Sequence, residues 1–74
     1  MSNIELRAGI SGTVIEVVCE MGSRIAEGDP VIFIEAMKME MPEVAACTGE
    51  VIELFVVKGQ VIPLDFVIAV IRPD

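Results

Sequence analysis

The sequence predicts an all-β fold, a small flattened barrel or sandwich made of two related units of four strands each. Short apolar runs follow one another throughout the 74 residues, and no window carries the sustained stripe that marks a helix. The chain also repeats itself, because GTVIEVVCEMG at 12–22 returns as GEVIELFVVKG at 49–59, an offset of 49 − 12 = 37 residues. Such an internal repeat indicates two copies of one structural unit.

The repeat divides one predicted domain, residues 1–74, into units 1–37 and 38–74. Matches continue at this offset beyond the two quoted segments: Ala8 with Ala45, Ser11 with Thr48, Ile25 with Ile62, and Ile34 with Ile71. A chain of this length has room for a single core. Two units related by a pseudo-two-fold axis can build that core if each covers the apolar face of the other.

Each unit supplies the same series of short β-segments. In the first unit, polar and apolar residues alternate in ELRAGIS, TVIEVV follows a glycine, and the turn region GSRIAEGDP leads into the apolar run VIFIE. In the second unit the corresponding segments are PEVAACT, EVIELFVV, KGQVIPLD and FVIAVI. Five glycines are predicted to shape the turns between these segments: Gly12, Gly22, Gly28, Gly49 and Gly59.

The composition limits both the core and the partners. Because only 4% of the residues are aromatic, we expect a core of Val, Ile, Leu, Ala and Met, with Phe33, Phe55 and Phe66 as its bulk. Five basic residues against twelve acidic ones give a formal charge of −7, which disfavours nucleic acid and anionic membranes as partners. Neither a signal peptide nor an apolar stretch near the roughly 20 residues of a membrane span is present. We therefore expect a cytoplasmic protein.

The two cysteines do not suggest a metal site. Histidine is absent, and Cys19 and Cys47 do not stand in a CxxC spacing. We expect both to be reduced residues in or near the core.

The segment EAMKMEM at 35–41 lies at the junction of the two units. Its residues favour helix, but seven residues fall short of the roughly 12 to 15 at which isolated helices become marginal, and Pro42 has no amide hydrogen to continue one. The flanking runs predict a hairpin instead, with Lys38 at or beside its tip. By the same symmetry FVIAVI pairs with IELRAG, which brings the chain ends together at the end of the domain opposite Lys38.

Residue types alone leave two interpretations of Lys38 open. Either Met37 and Met39 reach back to cap the sandwich and Lys38 keeps the tip soluble, or Lys38 is displayed for covalent modification. An ordinary lysine is a poor nucleophile, since only about one in a few thousand carries a neutral amine at pH 7. Modification would therefore need a dedicated enzyme. The chain itself shows no paired nucleophile and base and no glycine-rich phosphate loop, which argues against an autonomous enzyme.

EAMKME resembles the attachment motif of biotinyl domains in the biotin/lipoyl attachment family, whose Ala-Met-Lys-Met core surrounds the lysine that receives biotin. The resemblance covers nearly the whole chain, including GSRIAEGDPVIFIEAMKME and GEVIELFVVKGQVI. It is greatest to the short, free-standing carriers of the family and implies their hammerhead fold, without the thumb insertion of some members. Two departures stand out. Ala8, Gly9 and Ile10 replace a common Ala-Pro-Met, and Asp65 replaces a common late glycine, at the position that the repeat matches to Gly28.

The resemblance implies a biotin carboxyl carrier of a biotin-dependent carboxylase, with no catalysis of its own. A biotin protein ligase would attach biotin to Lys38. A biotin carboxylase component would then use ATP and bicarbonate to carboxylate it, and a carboxyltransferase component would pass the carboxyl group to an acyl-CoA or a 2-oxo acid. Five flanking residues are expected to serve ligase recognition and positioning: Glu35, Ala36, Met37, Met39 and Glu40. For the two methionines, plain packing at the tip is the alternative.

Two other functions fit the same fold. A lipoyl carrier of a 2-oxo acid dehydrogenase or glycine-cleavage system would share the repeat, although lipoyl domains typically set the lysine between Asp and Ala. An unmodified β-module used for assembly would not need Lys38 at all.

Overall fold

The computed structural model describes residues 2–74, so Met1 of the predicted domain lies outside the described part. Its eight strands form two antiparallel four-stranded sheets, ordered β1-β8-β6-β3 and β5-β4-β2-β7, and this confirms the predicted all-β sandwich. The strands are β1 Ile4–Arg7, β2 Gly12–Val17, β3 Arg24–Ile25, β4 Pro30–Ala36, β5 Met39–Val44, β6 Gly49–Leu54, β7 Val61–Ile62 and β8 Val67–Pro73.

The two units interlace. The offset of the repeat carries β1, β2, β3 and β4 onto β5, β6, β7 and β8, and so carries the first sheet onto the second. Each sheet holds two strands from each unit. The predicted pairing of FVIAVI with IELRAG is one of these contacts between the units, since β1 pairs with β8. Neither unit can complete a sheet without the other. In the first sheet, for example, β6 and β8 of the second unit pair with each other, and their outer neighbours β3 and β1 come from the first unit.

Matching irregularities occur in the two sheets. The register shifts between Val14 and Glu16 in β2 and between Val51 and Glu53 in β6, which are equivalent positions of the repeat. Bulges of this kind increase the local twist and help a small sheet to curve around its core. Ile4 of β1 pairs with Ile71 of β8, which confirms that the two ends of the chain lie side by side.

The core consists of aliphatic side chains from both units. No methionine and no phenylalanine is fully buried in the described part of the chain, so the predicted contribution of Met is wrong. The fully inaccessible larger side chains are Val14, Val31, Ile32, Ile34, Val51, Ile62, Ile68 and Ile71. β-Branched side chains of this size fit between two closely packed sheets.

Alternation along the strands explains where the phenylalanines lie. Phe33 is only half-buried because its neighbours Ile32 and Ile34 point inward, which turns Phe33 to the outer face. Phe55 follows the end of β6 and is exposed. Only Phe66 packs against the core, so the prediction of three core phenylalanines is correct for one.

Both cysteines are free and pack half-buried against the core, as predicted. Burial is the main cause that raises the pKa of the Cys19 thiol, and the neighbouring Glu20 carboxylate raises it further. No helix in residues 2–74 is long and apolar enough to cross a membrane.

The glycines fall into two groups. Gly22, Gly28 and Gly59 lie in turns and have φ near 90°, whereas Gly12 and Gly49 were expected in turns but begin β2 and β6. Glycine is needed at positions 12 and 49 because a Cβ atom there would collide with the backbone carbonyl oxygen of Glu35 or Arg72, respectively. Asp65 has φ 73° where its repeat mate Gly28 has φ 89°, so the departure from glycine leaves the turn unchanged. Only residues 18–23 connect β2 to β3, so this connection is too short to contain the thumb insertion of some family members.

Candidate functional site

The hairpin of β4 and β5 carries Lys38 at its tip. Five consecutive cross-strand pairs, from Ile32 with Glu43 to Ala36 with Met39, hold the hairpin in one register next to the tip, and a register shift separates them from the pair of Pro30 with Val44. Only Met37 and Lys38 remain as the loop. The segment EAMKMEM is therefore strand and turn, and the pairing of its flanks overrides its helix propensity.

The loop has an unusual backbone conformation for its residues. Met37 has φ 53° and Lys38 has φ 64°. Positive φ at both central residues is the signature of the type I′ hairpin turn, whose twist matches that of the flanking strands. Such turns favour Asn and Gly, and each side chain with a Cβ costs about 1–2 kcal/mol in the left-handed region. The paired strands below must hold this strained tip in place.

Lys38 is exposed, and it forms no ion pair with any residue of the described chain. All three arginines, in contrast, form ion pairs with carboxylates: Arg7 with Glu5 and Asp65, Arg24 with Asp74, and Arg72 with Glu50. The amine at the tip is thus accessible to an enzyme that modifies lysine.

The flanking methionines do not cap the sandwich. Met37 is 88% exposed and Met39 is 61% exposed. Large apolar side chains held this far into solvent gain little by packing on their own domain. The interpretation in which they reach back over the core is therefore wrong, and both are available to a partner. Ala36, in contrast, is half-buried at the base of the turn.

Gly12 supports the base of the tip from the neighbouring strand. A Cβ atom at this position would lie 2.5 Å from the Glu35 carbonyl oxygen and 3.3 Å from the Ala36 Cβ. A side chain here would push β2 away from the last residues of β4. The sequence marked Gly12 only as a turn residue, and its close contact could not be inferred without knowing that β2 and β4 are neighbours.

Glu35 and Glu40 lie directly opposite each other one pair below the closing pair of the hairpin. Both are exposed. Like charges at directly opposed positions destabilise a pair of strands. This site therefore keeps two carboxylates together beside Lys38, where a basic group of a partner can reach them.

A second support comes from the connection between β1 and β2. The Gly9 backbone N–H donates a 2.7 Å hydrogen bond to Glu43 Oε2 on β5. This contact ties the outgoing strand of the hairpin to the first unit. Gly9 stands where the Ala-Pro-Met pattern has proline. Because proline has no N–H to donate, this hydrogen bond depends on the departure from the pattern. Sequence reasoning noted the departure at Gly9 but missed the role of Glu43.

No group of three His, Cys, Asp or Glu residues that could hold a metal ion occurs in the described part of the chain. One surface concavity lies beside Cys19 with a volume of about 560 Å³, and another lies beside Phe55 and Phe66 with about 530 Å³. Neither is lined by Lys38 or the residues next to it.

Comparison with known proteins places residues 4–71 in a family model described as "Biotin-requiring enzyme". A curated relative, the biotinylated protein TB7.3 homolog of Mycobacterium leprae, is 42% identical over 67 residues, which cover 90% of this chain and 94% of the relative.

Two solved structures share the fold over 97% of the chain, each with a TM-score of 0.90 and 30% identity. They are the urea carboxylase of Kluyveromyces lactis and a single-chain, multi-domain long-chain acyl-CoA carboxylase. The chain spans only 6% and 7% of those two proteins, respectively.

Proposed function

The chain belongs to the family of biotin-requiring enzymes, and from this premise we propose that it is a biotin carboxyl carrier with its biotin on Lys38. The observation that carries the proposal is the position of the Lys38 amine, exposed and without an ion pair in the described chain, on a two-residue turn with a fixed register. The name of the Mycobacterium leprae relative, a biotinylated protein of nearly the same length, supports it.

The residues of the tip suit covalent attachment of biotin. For the amide to form, the ligase must deprotonate the Lys38 ammonium group and activate the carboxyl group of biotin. The amine then bonds to the carboxyl carbon, loses a second proton and displaces the activating group, so the positive charge of Lys38 is lost. The exposed Met37 and Met39 flank the amine and are available to a ligase, and Lys38 itself is exposed on the turn. We propose that the ligase also contacts Glu35, Ala36 and Glu40. Attached biotin supplies a ring that accepts a carboxyl group and gives it up again.

The fold helps to deliver the attached biotin to its partners by holding the attachment point in place. A side chain on a fixed turn has a defined starting point, so the reach of the arm serves movement between two active sites. Tethering replaces encounters in free solution with a high effective concentration. The strained turn and its five supporting pairs keep the base of the arm from moving. These features require no catalytic group in the chain, and we propose that it is a non-catalytic component.

The partners follow from this role. We propose a biotin protein ligase, a biotin carboxylase component and a carboxyltransferase component, with the carrier acting in the cytoplasm. The acceptor is proposed to be an acyl-CoA or a 2-oxo acid. The long-chain acyl-CoA carboxylase among the structural neighbours supports the first of these, while the urea carboxylase carries the same fold in a different carboxylase.

The lipoyl alternative shares the fold, but the named relative is a biotinylated protein and both structural neighbours are carboxylases. Incubation with a lipoate ligase and with a biotin ligase distinguishes the two. We expect biotin and no lipoate on Lys38, and lipoate without biotin would contradict the proposal.

Reconstitution with a biotin carboxylase and a carboxyltransferase tests the carrier role itself. The chain has two lysines, so Lys58→Arg is the matched control for Lys38→Arg. We expect carboxylation of the acceptor with the wild type and with Lys58→Arg, and none with Lys38→Arg, although its circular dichroism spectrum is unchanged. Full activity of Lys38→Arg would instead identify the chain as an unmodified assembly module.

A further inference from the structure

The internal repeat allows the surface beside Lys38 to be compared with its equivalent at the other end of the molecule. In the sheet that carries the tip, four residues lie opposite one another across β7, β2, β4 and β5: Val61, Thr13, Glu35 and Glu40. The next residue of β7, Ile62, is fully buried, so this row faces outward.

The equivalent row of the other sheet is neutralised internally. It consists of Arg24, Glu50 and Arg72 across β3, β6 and β8. Arg72 forms an ion pair with Glu50, and Arg24 forms one with Asp74. The hydrogen bond with Asp74 raises the pKa of Arg24.

The row beneath the tip has no such pairing. Among the described residues, neither Glu35 nor Glu40 has a cation within ion-pair distance. Val61 occupies the position of Arg24 and is 74% exposed. The row therefore ends in an exposed apolar side chain on β7 and in two opposed carboxylates on β4 and β5.

At two further positions the second unit has an apolar residue where the first unit has a charged one. Val57 and Leu64 are exposed and match Glu20 and Glu27 of the first unit. With Val61 they lie in residues 57–64, the segment that forms β7 and its two flanking turns. The two units have the same arrangement of strands, so this difference in surface charge arises from their side chains and not from the fold. The row of Arg24, Glu50 and Arg72 is thus charged and paired, whereas the row beside Lys38 combines the exposed Val61 with two carboxylates that have no cation in the described chain.

This surface is continuous with the tip. Val61 pairs with Thr13 and Thr13 with Glu35, so the row crosses the sheet without a gap. Strands lie about 4.8 Å apart, so β7 and β5 are separated by roughly 15 Å. A partner protein that binds at the Lys38 tip therefore has this row within roughly 15 Å, less than the width of an ordinary protein interface.

We propose that the row of Glu35, Glu40 and Val61, together with the exposed Val57 and Leu64 of the adjoining turns, is the docking surface for the biotin carboxylase component, an inference that rests on the proposed function. That component binds ATP and bicarbonate, which are both anions, and an entrance that attracts anions carries positive charge. The unpaired carboxylates of the row complement such an entrance. The three apolar side chains supply area for burial at the centre of a small contact, which suits a carrier that must leave again.

The repeat also supplies the test. A swap variant with Val57→Glu, Val61→Arg and Leu64→Glu gives each position the residue of its repeat mate, which the same backbone already accommodates. The matched control carries the reverse swap at the other end, Glu20→Val, Arg24→Val and Glu27→Leu. All proteins are biotinylated to completion, as judged by intact mass, before bicarbonate-dependent ATP cleavage by the biotin carboxylase component is measured against carrier concentration.

For the swap variant we expect a KM for the carrier about tenfold higher than that of the wild type, with kcat nearly unchanged. This is the result of losing a contact that is made equally in the ground state and the transition state. The control should keep the KM of the wild type. The single variants Val61→Arg and Leu64→Glu, each expected to raise KM by a smaller factor, give the same test if the triple variant does not fold.

Two results would overturn the inference. A swap variant with the KM of the wild type would show that the docking surface makes no contact with this component. A swap variant that is biotinylated slowly by the ligase, yet has a normal KM once biotinylated, would assign the surface to the ligase. Failure of the wild type itself to accept biotin would instead contradict the proposed function.

Discussion

Gly12 lies so close to Glu35 that a Cβ atom on Gly12 would be 2.5 Å from the Glu35 carbonyl oxygen. The contact is with backbone and cannot be relieved by a change of rotamer. It fixes the separation of β2 and β4 directly below the Lys38 turn.

Gly12→Ala should therefore destabilise the domain by about 1–3 kcal/mol, as other overpacked sites do. Gly9→Ala is the control, because the nearest atoms to a Cβ at position 9 lie 3.8 Å away. Urea denaturation measures both. Equal free energies of unfolding for the two variants would show that the close approach is not rigid.

Met37 is held at φ 53°, a conformation that glycine adopts without strain. Met37→Gly should raise the free energy of unfolding by about 0.5–1 kcal/mol, since relief of the left-handed strain exceeds the added entropy of the unfolded chain. The same change at Met39, which lies in β5, should lower it. If the methionine serves the ligase, Met37→Gly is also biotinylated more slowly. A loss of stability at position 37 would show that the turn is not strained.

The hydrogen bond from Gly9 N–H to Glu43 gives a third prediction. Gly9→Pro removes the donor and should cost about 0.5–1.5 kcal/mol, a net value typical of one hydrogen bond. In a Glu43→Ala background the same substitution should cost about 0.5–1.5 kcal/mol less, because the acceptor is already gone. The double-mutant cycle isolates this term from the effect of proline on the unfolded chain. Equal costs in both backgrounds would exclude a role for the bond.

Cys19 should react slowly with thiol reagents. Burial, assisted by Glu20, raises the pKa of its thiol, so less thiolate is present at a given pH in the folded protein than in the unfolded one. The rate of alkylation by iodoacetamide, followed by peptide mapping, should rise at a higher pH in the native protein than in urea. Identical pH profiles in the two states would contradict this prediction.

The local features of the fold could be predicted from the sequence. The repeat fixed the equivalence of the units, and the position of Lys38 at their junction followed from the short helix-forming segment and Pro42. The pairing of the chain ends followed from symmetry and is seen between Ile4 and Ile71. The resemblance around EAMKME indicated biotin before any geometry was known.

Features that depend on which strands are neighbours could not be predicted. The partners of the short strands β3 and β7 are one example, because nothing in a segment of two residues indicates that β3 pairs with β6 and β7 with β2. The outward orientation of Phe33 is another, since it depends on which face of β4 meets the other sheet. The close approach at Gly12 and the bond between Gly9 and Glu43 join residues far apart in sequence, so no local pattern announces them.

Intact mass and peptide mapping after co-expression with a biotin protein ligase show whether Lys38 is the attachment site. We expect one biotin per chain, attached to Lys38 and absent from Lys58, and no biotin on Lys38→Arg. A chain that stays unmodified under these conditions, or one that carries its biotin on Lys58, would contradict this expectation.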